Sequence, residues 1–135
     1  LAEAFASHPN PEHRAYASIL SALSTPDLNG FLQGFIDRIA LHRDEWGVID
    51  WKTNYLGERG DDYDGDSMLR CAMECHYLLQ AHLYLVALRR HLRLRAPDAR
   101  LKGAWLVFLR AAEYHSASRR GNPARVRRRK DGTQP

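Results

Sequence analysis

The stretch from Gly34 to Gly57, GFIDRIALHRDEWGVIDWKTNYLG, decides the reading of this chain. It predicts two strands joined by a tight polar turn at Arg43-Asp44-Glu45, with Asp37 on the first strand and Asp50 and Lys52 on the second. Side chains alternate across a strand, so Asp50 and Lys52 share one face while Trp51 between them takes the other. A carboxylate then stands beside an ammonium. If the two strands pair antiparallel, the register can bring Asp37 opposite the Asp50 region, within reach of one shared ion. The plain alternative is an ion pair of either aspartate with Lys52 or Arg38 at a sheet edge.

Outward from this hairpin, Phe31–Leu41, Gly47–Thr53 and Leu101–Leu109 are expected to be strands of one sheet. The last, LKGAWLVFL, is a continuous apolar run that predicts burial on both faces. Gly57 to Asp66, GERGDDYDGD, suggests a calcium loop but fails the test. With Asp62, Asp64 and Asp66 as the first ligands, Ser67 falls where glycine is required and Met73 where a bidentate glutamate belongs. A mobile, solvated loop is expected there. Ser67–Arg95 predicts one long helix capped by Ser67, with Leu69, Ala72, Met73, Leu79, Leu83, Ala87 and Leu88 at three- and four-residue steps and arginines at its C-terminal end. Before the hairpin, residues 1–23 read as a short helical piece, a break at Pro9-Asn10-Pro11, and a helix with Asn10 as N-cap and Pro11 at its first position. His8 and His13 read as exposed polar residues at that helix end. Thr25 to Gly30 reads as a turn-rich connector.

At 135 residues, 44% hydrophobic and 27% charged, the chain suits one globular domain. No apolar run reaches the ~20 residues that a transmembrane helix needs, and no signal peptide is recognisable, so a cytoplasmic location is expected. The net charge of +4 is unevenly placed. Residues 116–135 carry seven Lys and Arg against one acid, leaving thirteen bases against fifteen acids in residues 1–115. The basic excess belongs to the tail, which weakens charge as an argument for nucleic acid. Cys71 and Cys75 are too few for a four-cysteine cluster or a structural zinc site and are read as free thiols.

The spacing of Asp37 from Asp50-Trp51-Lys52 resembles the core of the PD-(D/E)xK nuclease superfamily. More narrowly, Gly34-Phe35-Ile36-Asp37, Ile49 to Asn54, and Leu56-Gly57 are similar to the nuclease domain of the RecB-type subunit of exodeoxyribonuclease V. His76-Tyr77-Leu78-Leu79-Gln80-Ala81-His82-Leu83-Tyr84 resembles that family's H-Y-x-L-Q-x-x-L-Y element. There Gln80 and Tyr84, four apart, share one helical face.

The resemblance implies an α/β fold, a restriction-endonuclease-like core with a central mixed sheet flanked by helices. That core would occupy residues 1–115, while residues 116–135 read by composition as a basic, disordered tail in place of the further helical structure of the relatives. It also implies a deoxyribonuclease dependent on Mg²⁺, with Mn²⁺ able to substitute, and hard oxygen ligands suit these ions better than zinc. Asp37, Asp50 and the Trp51 main-chain carbonyl would hold the metal. Lys52 would position or help deprotonate the attacking water and stabilise the developing anion. Gln80 and Tyr84 would support the site or touch the DNA backbone. Implied partners are DNA, as single-stranded ends, the helicase region of the same polypeptide, and other subunits of a RecBCD-like complex that repairs double-strand breaks.

Two departures bear on this expectation. The relatives' upstream metal ligand, a His or Glu, has no match, since neither His8 nor His13 sits in a comparable context. A G-x-x-x-x-G-K-[ST] phosphate loop is also missing. The sequence is therefore expected to be a fragment of a longer protein, with the resemblance covering about residues 28–110. The competing reading is a nuclease-like module that binds DNA or a partner subunit without cutting.

Overall fold

The computed structural model describes residues 2–23, 30–112 and 114. Most of the expected connector from Thr25, and the basic tail, lie outside the described residues. Two N-terminal helices, α1 (Ala2–Ala6) and α2 (Pro11–Ala22), precede the hairpin strands β1 (Arg38–His42) and β2 (Glu45–Lys52). A single 3₁₀ turn, Gly60–Tyr63, leads into α3 (Gly65–Glu74) and α4 (Tyr77–Arg95), and β3 (Arg100–Phe108) follows. The sheet order is β1-β2-β3, with β2 antiparallel to β1 and parallel to β3. This is the expected α/β arrangement, a mixed sheet whose parallel pair is joined by a helical crossover.

The core follows from strand and helix periodicity. Val48 on the inner face of β2 packs with Leu88 and Leu92 of α4. These are spaced four apart on the helix, so one stripe covers the strand. A second cluster joins Phe5, Tyr16, Ala17 and Leu20 to Ala72 of α3 and Leu78 of α4. Asn10 caps α2 as expected, its Oδ1 accepting the Glu12 amide at 2.8 Å. The opposite face of the sheet carries Ile49, Trp51, Trp105 and Val107, which line one shallow groove with Ala40 and His42.

Several expectations are corrected. Strand β1 begins at Arg38, not Phe31, and Phe31, Leu32 and Phe35 are largely exposed. Asp37 lies at a bend just before the strand, where its side chain takes the Trp51 amide that would otherwise seek a backbone acceptor. The hairpin loop is only Arg43-Asp44, since Glu45 already pairs with His42. Both loop residues have positive φ, 47° and 62°, as a two-residue turn matching the strand twist requires. Strand β3 pairs with β2 and ends at Phe108; Trp105 is exposed, so burial on both faces does not hold.

The long helix is two helices. The chain breaks at His76, whose backbone is left-handed at φ 55°, and whose Nδ1 shares a 2.8 Å hydrogen bond with the hydroxyl of buried Tyr16. Asp64, rather than Ser67, is the N-cap of α3, accepting the Ser67 amide at 2.7 Å. The acidic loop before it is anchored, not solvated throughout. Tyr63 is buried against Phe108 and Ala111, and its hydroxyl accepts the Leu56 amide at 3.2 Å. His8 and His13 are half-buried, with rings stacked at 4.3 Å.

Candidate active site

Alternation along β2 turns Val48, Asp50 and Lys52 inward, toward α4, and leaves Trp51 on the outer face. Asp50 and Lys52 are the two buried charged residues among those described, at 4% and 7% exposure. Burying two charges is costly unless they neutralise each other, and here the Lys52 ammonium is ion-paired with Asp50 Oδ2. The pair lies on the central strand, not at a sheet edge. Asp50 Oδ2 receives no hydrogen bond of good geometry, so its remaining lone pairs face no donor.

Asp37 approaches the same segment from the bend just before β1. The ladder ends where Arg38 pairs with Ile49, and Asp37 is the residue just before it. Its Oδ2 accepts the Trp51 amide at 2.9 Å, which fixes the carboxylate next to the Asp50–Lys52 segment while leaving it exposed to solvent. The antiparallel pairing thus brings together two carboxylates and a lysine.

Helix α4 supplies the third side. Tyr77, Gln80 and Tyr84 fall at three- and four-residue steps, on one face. Lys52 Nζ donates to Gln80 Oε1 at 2.6 Å, and Gln80 Nε2 donates to the Tyr84 hydroxyl at 3.0 Å. The amide is therefore held from both ends. Tyr84 in turn lies against Gly34, where an added Cβ would stand 3.4 Å from the ring. The glycine lets the segment leading to Asp37 approach the helix.

Sequence reasoning missed Tyr77 and Asn54. The Lys52 ammonium sits over the Tyr77 ring, 3.6 Å from its centroid, and the Tyr77 hydroxyl donates to Asn54 Oδ1 at 3.1 Å. Burial, above all, pushes the Tyr77 phenol above its ordinary value of 10.0, so it stays neutral at physiological pH. The three-residue offset from Gln80 was the signal that could have found it. Cys71 and Cys75 are free thiols with sulfurs 4.0 Å apart, and burial, followed by the Cys75 thiol, raises Cys71.

Residues 2–133 match the PD-(D/E)XK nuclease superfamily. The chain belongs to that superfamily. It is also similar to the RecBCD enzyme subunit RecB of Mycobacterium tuberculosis strain H37Rv, 37% identical over 102 residues, covering 70% of this chain and 9% of the relative. The Escherichia coli K12 protein of the same name is 37% identical over 91 residues, covering 64% of this chain and 8% of the relative. That of Mycolicibacterium smegmatis is 35% identical over 107 residues, covering 70% and 10%. The chain thus spans about a tenth of the length of these curated relatives.

PD-(D/E)XK nucleases generally use divalent metal ions, and the donor set here can be tested against one. Asp50 offers a buried carboxylate whose Oδ2 is met by the Lys52 ammonium and by no further hydrogen-bond donor, and Asp37 offers a second carboxylate, exposed and tied to the Trp51 amide. Both are hard oxygen donors, which fits a hard cation that keeps several waters. Among the described residues no group of three or more His, Cys, Asp or Glu is placed to hold a metal, so a soft, protein-saturated site does not fit.

Proposed function

We propose that this chain is a metal-dependent nuclease domain that hydrolyses DNA phosphodiester bonds. The observation that carries the proposal is the convergence of Asp37 from the bend before β1, Asp50 and Lys52 from β2, and Gln80 from α4. In this reading Asp37, Asp50 and the Trp51 carbonyl hold Mg²⁺, for which Mn²⁺ can substitute. When bound, the ion supplies Lewis acidity, lowers the pKa of water and templates the phosphate.

The chain's own groups do the rest. Lys52 places a fixed positive charge where negative charge accumulates on the phosphorane, an interaction stronger in the transition state than in the ground state. Gln80 aims the ammonium, and Tyr84 holds the Gln80 amide. Burial of the pair keeps water from screening it. The relatives are named as RecBCD enzyme subunits. We accordingly place this domain in the cytoplasm, in a longer helicase-nuclease that acts on single-stranded DNA ends together with other subunits of a RecBCD-like complex during recombinational repair.

A second reading goes with the finding that, among the described residues, no group of three or more His, Cys, Asp or Glu is placed to hold a metal: a nuclease-like module that binds DNA or a partner without cutting. End-labelled single-stranded DNA incubated with Mg²⁺ decides between them. Shortened products from the wild type and none from Asp50→Ala support the nuclease; DNA binding with no cleavage by either supports the module.

A further inference from the structure

We propose that Tyr77 is a positioning residue for Lys52, its ring forming the third wall of a cage that aims the ammonium. The effect on cleavage rests on the nuclease reading; the cage itself does not.

An ammonium carries three donors on a flexible four-carbon stem, so one or two partners leave it free to swing. Here Asp50 takes one direction by ion pairing and Gln80 Oε1 takes a second at 2.6 Å. The face of Tyr77, with its centroid 3.6 Å from Nζ, closes the third. A ring face attracts a cation through its quadrupole, and most strongly when water is excluded, as it is around a side chain 7% exposed. A hydrogen-bonding third wall would compete for the ammonium with the substrate phosphate. A ring face holds it without offering an acceptor that would have to be displaced.

The ring is itself fixed from two ends. Tyr77 is the first residue of α4, directly after the left-handed His76 that Tyr16 holds at 2.8 Å. At its far end the hydroxyl donates to Asn54, two residues beyond Lys52 on the same chain segment. Strand and helix are thus clamped across the ammonium, and the helix break aims the ring. An unbroken helix would carry position 77 on a different bearing.

The test compares Tyr77→Phe, which keeps the ring, with Tyr77→Leu, which removes it. The chain has three lysines, Lys52, Lys102 and Lys130. In a carbon–proton NMR spectrum of ε-labelled lysine, Lys52 should be displaced upfield from the other two by the ring current, with the signal assigned by Lys52→Arg. Tyr77→Phe should keep the displacement and Tyr77→Leu should lose it. In cleavage assays Tyr77→Leu should lower kcat about tenfold with KM unchanged, the size of one desolvated cation–π contact, and Tyr77→Phe should restore kcat. A wild-type Lys52 signal at the ordinary position overturns the proposal, even if Tyr77→Leu does not fold. So does a Phe variant as impaired as the Leu variant, since the hydroxyl would then be what matters. A wild-type chain that cuts nothing removes the nuclease reading, while the NMR comparison still decides the cage.

Discussion

The Asp37 carboxylate accepts the main-chain amide hydrogen of Trp51 at 2.9 Å, closing the open end of the β1–β2 ladder with a side chain. This latch explains why Asp37 stands beside Asp50 although its own strand starts one residue later. It also predicts two separable roles for one carboxylate. Asp37→Asn retains an acceptor and loses the charge, so thermal stability should stay near wild type while the heat of Mn²⁺ binding falls in calorimetry. Asp37→Ala should lose both, at about 1 kcal/mol of stability for the hydrogen bond. Wild-type Mn²⁺ binding by the Asn variant would leave Asp37 as a structural latch alone.

Burial of the Asp50–Lys52 pair changes what removal of the lysine does. An exposed lysine could be cut back at little cost, but Lys52→Ala strands a buried carboxylate and should destabilise the metal-free chain by about 3 kcal/mol. Added Mn²⁺ should recover part of that loss, because the cation replaces the missing charge. Cleavage should not recover. If the ammonium contributes ~4 kcal/mol to the transition state, the rate falls about a thousandfold. Thermal melts with and without Mn²⁺, beside product lengths on single-stranded DNA, separate the two effects; full cleavage by Lys52→Ala would reduce the pair to a structural ion bridge.

The hairpin loop is strained where it need not be. Arg43 and Asp44 both adopt positive φ without a glycine. Replacing them with Asn-Gly, which favours this turn, should raise stability by about 1 kcal/mol or slightly more. Denaturant unfolding of the double variant measures it, with a lower midpoint counting against the assigned turn.

Acid should weaken the N-terminal helices. His13 is held below its ordinary value of 6.5, first by burial and second by the charge of His8, with Glu12 opposing. Its depressed pKa means that the unfolded chain takes up the proton first. Stability is therefore complete above pH 6.5 and declines as pH falls from there toward the lower folded value. Melting temperatures between pH 7.5 and 5 should show this decline, and His13→Asn should flatten it. An equal decline in the variant would overturn the assignment to His13.

Local chemistry in the sequence determined the parts that depend on near neighbours. Alternation set Asp50 and Lys52 on one face of β2, the Asn10-Pro11 pair started α2, and the spacing of Gln80 and Tyr84 put both on one side of a helix. Each follows from backbone geometry over a few residues. Tertiary structure decided the rest, because the groups involved are distant in sequence. Only packing against Tyr16 goes with the break at His76 in what reads as one helix, and only the β1–β2 register gives Asp37 the Trp51 amide. Only the placement of α4 over β2 turns Lys52 from a surface charge into a buried ammonium held by Gln80 and Tyr77. Burial is a property of the whole fold, and it is burial that makes this ion pair costly to break.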